Sequence, residues 1–135
     1  MHTILIVDDS PTIRRMVRAS LGTLPGTTFV EAVSGLQAIE ALALAPVHAI
    51  VLDLNMPDMH GLDVLRFVRS HEHYRKLPVL VLTTRGDRTS RDAVMQAGAT
   101  SYMTKPFMPT ELAAAVSGLL AGVPVQHAAV PSNEG

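Results

Sequence analysis

The chain has 135 residues, which is enough for one domain with a hydrophobic core and too few for a second domain of similar size. Its hydrophobic fraction of 47% and charged fraction of 17% are typical of a globular protein rather than a disordered one. The net charge of −1 provides no overall attraction to nucleic acid or to an anionic membrane. The absence of cysteine excludes disulfides, thiolate metal sites and cysteine nucleophiles.

The first apolar run, residues 4–7, is too short for a signal peptide and is followed directly by two acids. We therefore expect a cytoplasmic protein. Five short apolar or β-branched segments predict strands at residues 3–7, 28–33, 48–52, 79–83 and 100–103. The first, third and fourth are almost continuously apolar, as in parallel strands covered on both faces, so we expect them at the centre of a sheet.

Segments with helical periodicity separate these strands. The first begins with an N-cap and an N1 proline at Ser10-Pro11. Its apolar face contains Ile13, Met16, Val17 and Leu21. The opposite face contains Arg14, Arg15 and Arg18. Further helices are predicted at residues 34–45, 62–71, 89–97 and 109–121.

This alternation predicts an α/β fold, a doubly wound (βα)5 domain with a parallel five-stranded sheet. We assign residues 1–122 to this domain. Residues 123–135 lack helical periodicity and contain two prolines but no Lys or Arg, so we interpret them as a flexible C-terminal tail rather than a docking peptide.

Polar residues lie at or just after the ends of the predicted strands, where α/β sheets place their functional sites. They are Asp8, Asp9, Asp53, Thr83 and Lys105. Adjacent carboxylates require a cation or water between them, and three carboxylates with retained waters suit Mg²⁺. Taken singly, each residue also fits a structural role: the acids as caps or turn residues, the lysine as a solvated charge, the threonine as an ordinary strand residue.

Together these residues resemble the receiver domain of two-component response regulators over about residues 3–121. The motifs that carry the resemblance are Asp8-Asp9, Asp53-x-x-Met56-Pro57-x-x-x-Gly61, Thr83 and Lys105-Pro106-Phe107. Residues 8–17 and Ala97-Gly98-Ala99 are similar to chemotaxis regulators of the CheY type. The resemblance implies a flavodoxin-like strand order, 2-1-3-4-5.

The resemblance also implies a mechanism. Asp53 accepts a phosphoryl group from a sensor histidine kinase, and the domain catalyses its own phosphorylation and dephosphorylation. Asp8 and Asp9 hold Mg²⁺, with Asp53 and the backbone carbonyl of Asn55 completing the protein ligands. Lys105 and Thr83 hold the remaining phosphoryl oxygens.

Output is expected from a switch in which Thr83 moves toward the phosphoryl group and Tyr102 occupies the space that it leaves. As a strand tyrosine, Tyr102 also fits a purely half-buried packing role. The expected partner is a downstream target protein, or a motor or kinase complex, rather than nucleic acid or a membrane. We expect a monomer or a weak phosphorylation-dependent dimer.

Two alternatives stay open. One is a phosphorelay intermediate or phosphate sink, which needs no output surface. The other is a Mg²⁺-dependent phosphohydrolase that acts on a small molecule through an aspartyl phosphate. Such enzymes often use an acid two residues beyond the nucleophile, where this chain has Asn55, and the chain has no inserted cap to enclose a substrate.

Overall fold

A computed structural model describes residues 2–54, 56, 59–84 and 88–122, with the backbone alone for residues 88–90. Asn55 and the predicted tail lie outside the described residues. The strands are β1 (His2–Val7), β2 (Thr27–Ala32), β3 (Ala49–Asp53), β4 (Val79–Thr84) and β5 (Ser101–Lys105). The helices are α1 (Pro11–Leu21), α2 (Gly35–Leu44), α3 (Gly61–Ser70), α4 (Arg88–Gln96) and α5 (Pro109–Leu120).

The five strands form one parallel sheet in the order β2-β1-β3-β4-β5. This confirms the predicted α/β architecture and the central position of the three apolar strands. Element boundaries differ by at most two residues from the predicted ones. The largest change is at β5, which continues to Lys105 because it pairs with β4 as far as Thr84. Polar Thr104 and Lys105 gave no apolar signal for that extension.

Alternating strand residues divide the core into two layers. On one face, Leu5, Val7 and Val81 pack with residues of α2, α3 and α4. On the other face, Ile6, Val51 and Leu82 pack with residues of α1 and α5. Burial of both faces explains why the central strands are apolar without interruption. Among the described residues, no helix is long and apolar enough to cross a membrane.

Helix α1 begins as expected, because the Ser10 hydroxyl accepts a hydrogen bond from the Ile13 amide at 3.2 Å. Its apolar face is narrower than predicted. Val17 and Leu21 are buried, whereas Met16 is 42% exposed. Residues 13, 17 and 21 follow the four-residue spacing that faces the sheet, and position 16 lies at the border of that stripe.

Arg69 joins three segments on the opposite face of the sheet. Its guanidinium donates to the carbonyl oxygens of Gly98 and Leu77, both at 2.7 Å, and to the Thr100 hydroxyl at 3.2 Å. The same Thr100 hydroxyl accepts from the Val79 amide at the start of β4. Burial lowers the pKa of Arg69, although an arginine remains charged under all ordinary conditions. Arg69 therefore fixes the end of α3 against the loops that lead into β4 and β5.

We predict that Arg69→Met lowers the free energy of unfolding by about 2–4 kcal/mol, because it leaves several partly buried acceptors without their donor. Arg66→Met is the matched control: Arg66 lies on the same helix, and its pair with Asp63 is exposed. That change should stay within about 0.5 kcal/mol. Urea unfolding of both variants measures the difference, and equal losses would contradict the role given to Arg69.

Candidate functional site

Asp8, Asp9 and Asp53 meet at the carboxyl-terminal edge of the sheet. Asp8 directly follows β1, and Asp53 is the last residue of β3. Because Val7 pairs with Leu52 in the parallel register, the next residues on the two strands are neighbours. One carboxylate oxygen from each of the three acids lies within 4.8 Å of the others.

The direction of the side chains follows from the alternation of residues along the strands. Asp53 is two residues after Val51, and Lys105 is two residues after Met103. Because alternate strand residues point to the same side, both side chains point toward the α1 and α5 side of the sheet. Asp8, two residues after Ile6, continues the same parity beyond β1. The two acids and the lysine therefore converge although they come from three different strands.

Lys105 bridges two of the acids. Its Nζ donates to Asp8 Oδ2 at 3.0 Å and to Asp53 Oδ1 at 2.9 Å. Asp8 and Asp53 are almost fully buried, at 2% and 4% exposure, so the ammonium provides counter-charge that water does not. Burial alone would lower the pKa of Lys105, but its hydrogen bonds to Asp53 and Asp8 and their negative charges outweigh burial and raise it.

The described residues between β3 and α3 pack closely against the strand end. The Gly61 amide donates to the Leu54 carbonyl at 2.8 Å, and Met56 is buried. A Cβ at position 61 would lie 2.5 Å from the Asp53 carbonyl oxygen and 2.7 Å from Leu54 Cα. Only glycine fits here without displacing the backbone that carries Asp53, which gives a physical reason for the glycine of the Met56-Pro57-x-x-x-Gly61 motif.

Thr83 and Tyr102 belong to the other side of the sheet. Thr83 shares the parity of Val81 and is the register partner of Thr104, while Tyr102 is the partner of Val81. Thr83 is buried, and its hydroxyl donates to the Thr84 carbonyl at 3.3 Å. Tyr102 is half-buried. The structure thus places both predicted switch residues on the side that α4 covers, with Tyr102 on β5, the strand that carries Lys105, and Thr83 on the neighbouring strand β4.

Arg14 is a contact of this site that helical periodicity did not predict. It was placed on the face of α1 opposite the core, yet its Nη1 donates to the Asp8 carbonyl at 2.8 Å and its Nε donates to Glu31 Oε1 at 2.9 Å. The hydrogen bond from Arg14 lowers the pKa of Glu31 against the effect of partial burial, and Arg18 adds to the lowering. No local pattern joins α1 to β2, so the sequence alone contains no signal for this bridge.

His60 also has a structural contact. Its Nδ1 accepts from the Leu62 amide at 3.2 Å and so caps the start of α3. Asn55, whose carbonyl was assigned to the metal, lies outside the described residues.

The cluster can bind a cation. Among the described residues, the cluster combines three carboxylates with the ammonium of Lys105, which leaves an excess of negative charge, and Asp9 is exposed to incoming solvent or ligand. A donor set composed of oxygen atoms fits a hard divalent ion and offers nothing to a soft one.

The comparison with known proteins decides the family. A family model described as the response regulator receiver domain matches residues 4–117. The chain belongs to the response regulator receiver family. The receiver is 37% identical over 110 residues to chemotaxis protein CheY1 of Helicobacter pylori, which covers 81% of this chain and 89% of that protein.

A second relative is longer than this chain. The receiver is 39% identical over 107 residues to transcriptional regulatory protein KdpE of Mycobacterium tuberculosis. The aligned region covers 79% of this chain but 46% of that protein. Among solved structures, a putative response regulator from Chloroflexus aurantiacus has a TM-score of 0.84 at 36% identity, covering 89% of this chain and 98% of that one. These matches confirm the resemblance stated from the sequence, while the roles of individual site residues stay predictions.

We predict that the ion pairs of Lys105 contribute about 1–3 kcal/mol to folding, measured as the difference in unfolding free energy between the receiver and Lys105→Met in EDTA. Because folding raises the pKa of Lys105, this contribution is fully present below the unfolded value of about 10.4 and is lost as the pH rises through the folded value. The difference should therefore be constant from about pH 7 to pH 9 and shrink above it. A difference that persists at the highest pH would rule out the ion pairs as its source.

Proposed function

We propose that this receiver is a response regulator that accepts a phosphoryl group on Asp53 from a sensor histidine kinase. The observation that supports this most directly is the buried Asp53 carboxylate held 2.9 Å from the Lys105 ammonium, with two further acids beside it. A carboxylate at a strand end is a ready nucleophile for phosphorus, and a fixed ammonium stabilises the negative charge of the group that arrives.

Asp8, Asp9 and Asp53 would hold Mg²⁺, and by family resemblance the Asn55 carbonyl would join them. When bound, the ion supplies positive charge against the phosphoryl oxygens and offsets the repulsion between them and the acids. The excess of carboxylates over ammonium groups in the cluster supports this assignment. The protein's own task is then to position groups and to stabilise charge.

In the transfer step, a carboxylate oxygen of Asp53 attacks the phosphorus of a phosphohistidine. A new O–P bond forms an acyl phosphate, and the N–P bond breaks with its electron pair going to the imidazole nitrogen. The Lys105 ammonium then contacts both Asp53 and one phosphoryl oxygen, and the Thr83 hydroxyl donates to another phosphoryl oxygen. Hydrolysis of the acyl phosphate later restores the Asp53 carboxylate.

We predict that acetyl phosphate and Mg²⁺ add one phosphoryl group to the receiver, and that Asp53→Asn and EDTA each abolish the adduct because they remove the nucleophile and the cation. Intact-mass spectrometry measures the adduct. Asp63→Asn is the matched control, since it makes the same chemical change at an exposed acid of α3 outside the cluster. If Asp53→Asn is still labelled, the phosphoacceptor is another residue.

Because a fast hydrolysis would hide the adduct, binding of beryllofluoride with Mg²⁺ is the companion measurement. Failure of both labelling and beryllofluoride binding would contradict the proposed function.

The proposed output is a phosphorylation-dependent change of the surface around α4, β5 and α5. Thr83 and Tyr102 lie on the α4 side of adjacent strands, so a movement of the Thr83 hydroxyl toward the phosphoryl group changes the space beside Tyr102. Similarity over most of its length to a CheY protein favours chemotaxis-type signalling through a target such as a motor or kinase complex. A phosphorelay role is the alternative, and it requires no such movement.

Substitution of Tyr102 separates these two roles. We predict that Tyr102→Ala leaves the rate of Asp53 labelling within about twofold, because the side chain lies on the other face from the acids, while the affinity of the phosphorylated receiver for its target falls about tenfold. Tyr102→Phe controls for the hydroxyl. Kinase labelling and target pull-down with beryllofluoride measure the two effects. A receiver whose only partners are kinases and phosphotransfer proteins, all insensitive to Tyr102→Ala, would favour the relay.

A further inference from the structure

All four polar groups of Asp8 are held, each by a different segment. Its amide donates to the Ala32 carbonyl of β2 at 3.1 Å. Its carboxylate accepts from the Ser10 amide at 2.9 Å and from Lys105 at 3.0 Å. Its carbonyl accepts from Arg14 Nη1 at 2.8 Å. The last of these bonds is the one that neither the strand pairing nor the acidic cluster explains.

The carbonyl of Asp8 belongs to the peptide group that joins Asp8 to Asp9. A peptide group is planar and turns as a unit, so its orientation sets the direction in which both adjacent side chains leave the backbone. Strand β1 pairs with its neighbours only as far as Val7, so sheet hydrogen bonding does not hold this carbonyl. The hydrogen bond from Arg14 instead holds the carbonyl of the first peptide group beyond the strand.

Arg14 is itself held by Glu31. Its Nε donates to Glu31 Oε1, and Arg18 donates to the other carboxylate oxygen, each at 2.9 Å. The Arg14 side chain is 15% exposed, whereas that of Arg18 is 53% exposed. Glu31 precedes Ala32, the residue whose carbonyl accepts from the Asp8 amide. The Asp8 amide is therefore bonded to Ala32, and the Asp8 carbonyl is linked through Arg14 to the adjacent residue, Glu31.

We infer that Arg14, anchored by Glu31, is a positioning residue for the metal site: it sets the orientation of the Asp8–Asp9 peptide and so holds both carboxylates in place for a divalent cation. This inference rests on the proposed function. A guanidinium is required, because its planar fork donates to Glu31 and to the carbonyl at once, which an ammonium cannot do with the same geometry.

If Arg14 acts through its charge, its substitution should have the opposite effect on Mg²⁺ affinity from that expected if it acts by positioning. A positive charge near a cation site repels the cation, so if Arg14 acted through its charge alone, Arg14→Gln would bind Mg²⁺ more tightly and Arg14→Lys would bind it as the unmodified receiver does. If Arg14 acts by positioning, both variants bind Mg²⁺ more weakly. Residues that orient metal ligands typically change metal affinity by about 10- to 100-fold.

The test measures the Mg²⁺ dissociation constant of the unphosphorylated receiver by following backbone amide signals in NMR titrations. We expect Arg14→Lys and Arg14→Gln to weaken binding about tenfold, with Glu31→Gln weakening it in the same direction while Arg14 is retained. Arg18→Gln is the matched control: it removes a guanidinium paired with the same glutamate but without contact to Asp8, and its affinity should stay within about twofold.

A purely structural role is separated by two further readouts. Unfolding in EDTA compares the stability of the Arg14 and Arg18 variants without the metal. Labelling by acetyl phosphate across a Mg²⁺ series then gives the half-saturating Mg²⁺ concentration and the rate at saturation. If Arg14 acts by positioning, its variants need about tenfold more Mg²⁺ for half-saturation but reach most of the unmodified receiver's labelling rate at saturation. A general loss of structure instead lowers the rate at saturation.

Unchanged Mg²⁺ affinity in Arg14→Lys, or tighter binding in Arg14→Gln, would overturn the inference while leaving the proposed function intact. Absence of Mg²⁺ binding by the unmodified receiver would instead overturn the proposed function, and the inference with it.

Discussion

The bridge from Lys105 to Asp8 and Asp53 is the interaction on which the site depends. Two negatively charged carboxylates that are almost fully buried side by side repel each other strongly, and the ammonium between them offsets that repulsion. The lysine that provides it is 97 residues from one acid and 52 from the other along the chain. The bridge can form only when β1, β3 and β5 all end at one edge of the sheet, so the strand order is a requirement of the site and not merely its setting.

The charge of this cluster is balanced only in part. Among the described residues, one ammonium lies among the three carboxylates of the cluster, which keeps Asp8 and Asp53 paired but leaves the cluster with an excess of negative charge. Such a cluster attracts a cation and repels a phosphoryl group, so the proposed transfer requires the cation before the phosphoryl group can approach closely. Lys105 cannot replace the cation, because two of its three donors are already bonded to Asp8 and Asp53.

The sequence predicts the fold well for a physical reason: both faces of the central strands are buried, so β1, β3 and β4 appear as continuous apolar runs. The polar residues Asp8, Asp53 and Thr83 mark where these runs end. It predicts less well where polar residues continue a strand, as at Thr104 and Lys105. It does not predict Arg14, because periodicity within α1 describes which face meets the core and not what a long side chain reaches beyond it. Contacts between distant segments, such as Arg14 with Glu31, have no local signal.

The two-residue period of the strands also separates the residues proposed for the chemistry from those proposed for the output. Asp53 and Lys105 lie on the same side of the sheet as Val51 and Met103, which face α1 and α5, whereas Thr83 and Tyr102 lie on the same side as Val81, which faces α4. Substitutions on the α4 side can therefore alter what the surface binds without moving the acids. In the proposed switch, Thr83 is the residue that can connect the two sides, because it lies in β4 between Leu82, the register partner of Asp53, and Thr84, the register partner of Lys105. A hydroxyl at that position is short enough to serve either side, and its present bond is to the adjacent Thr84 carbonyl, a contact that costs little to exchange for a charged acceptor.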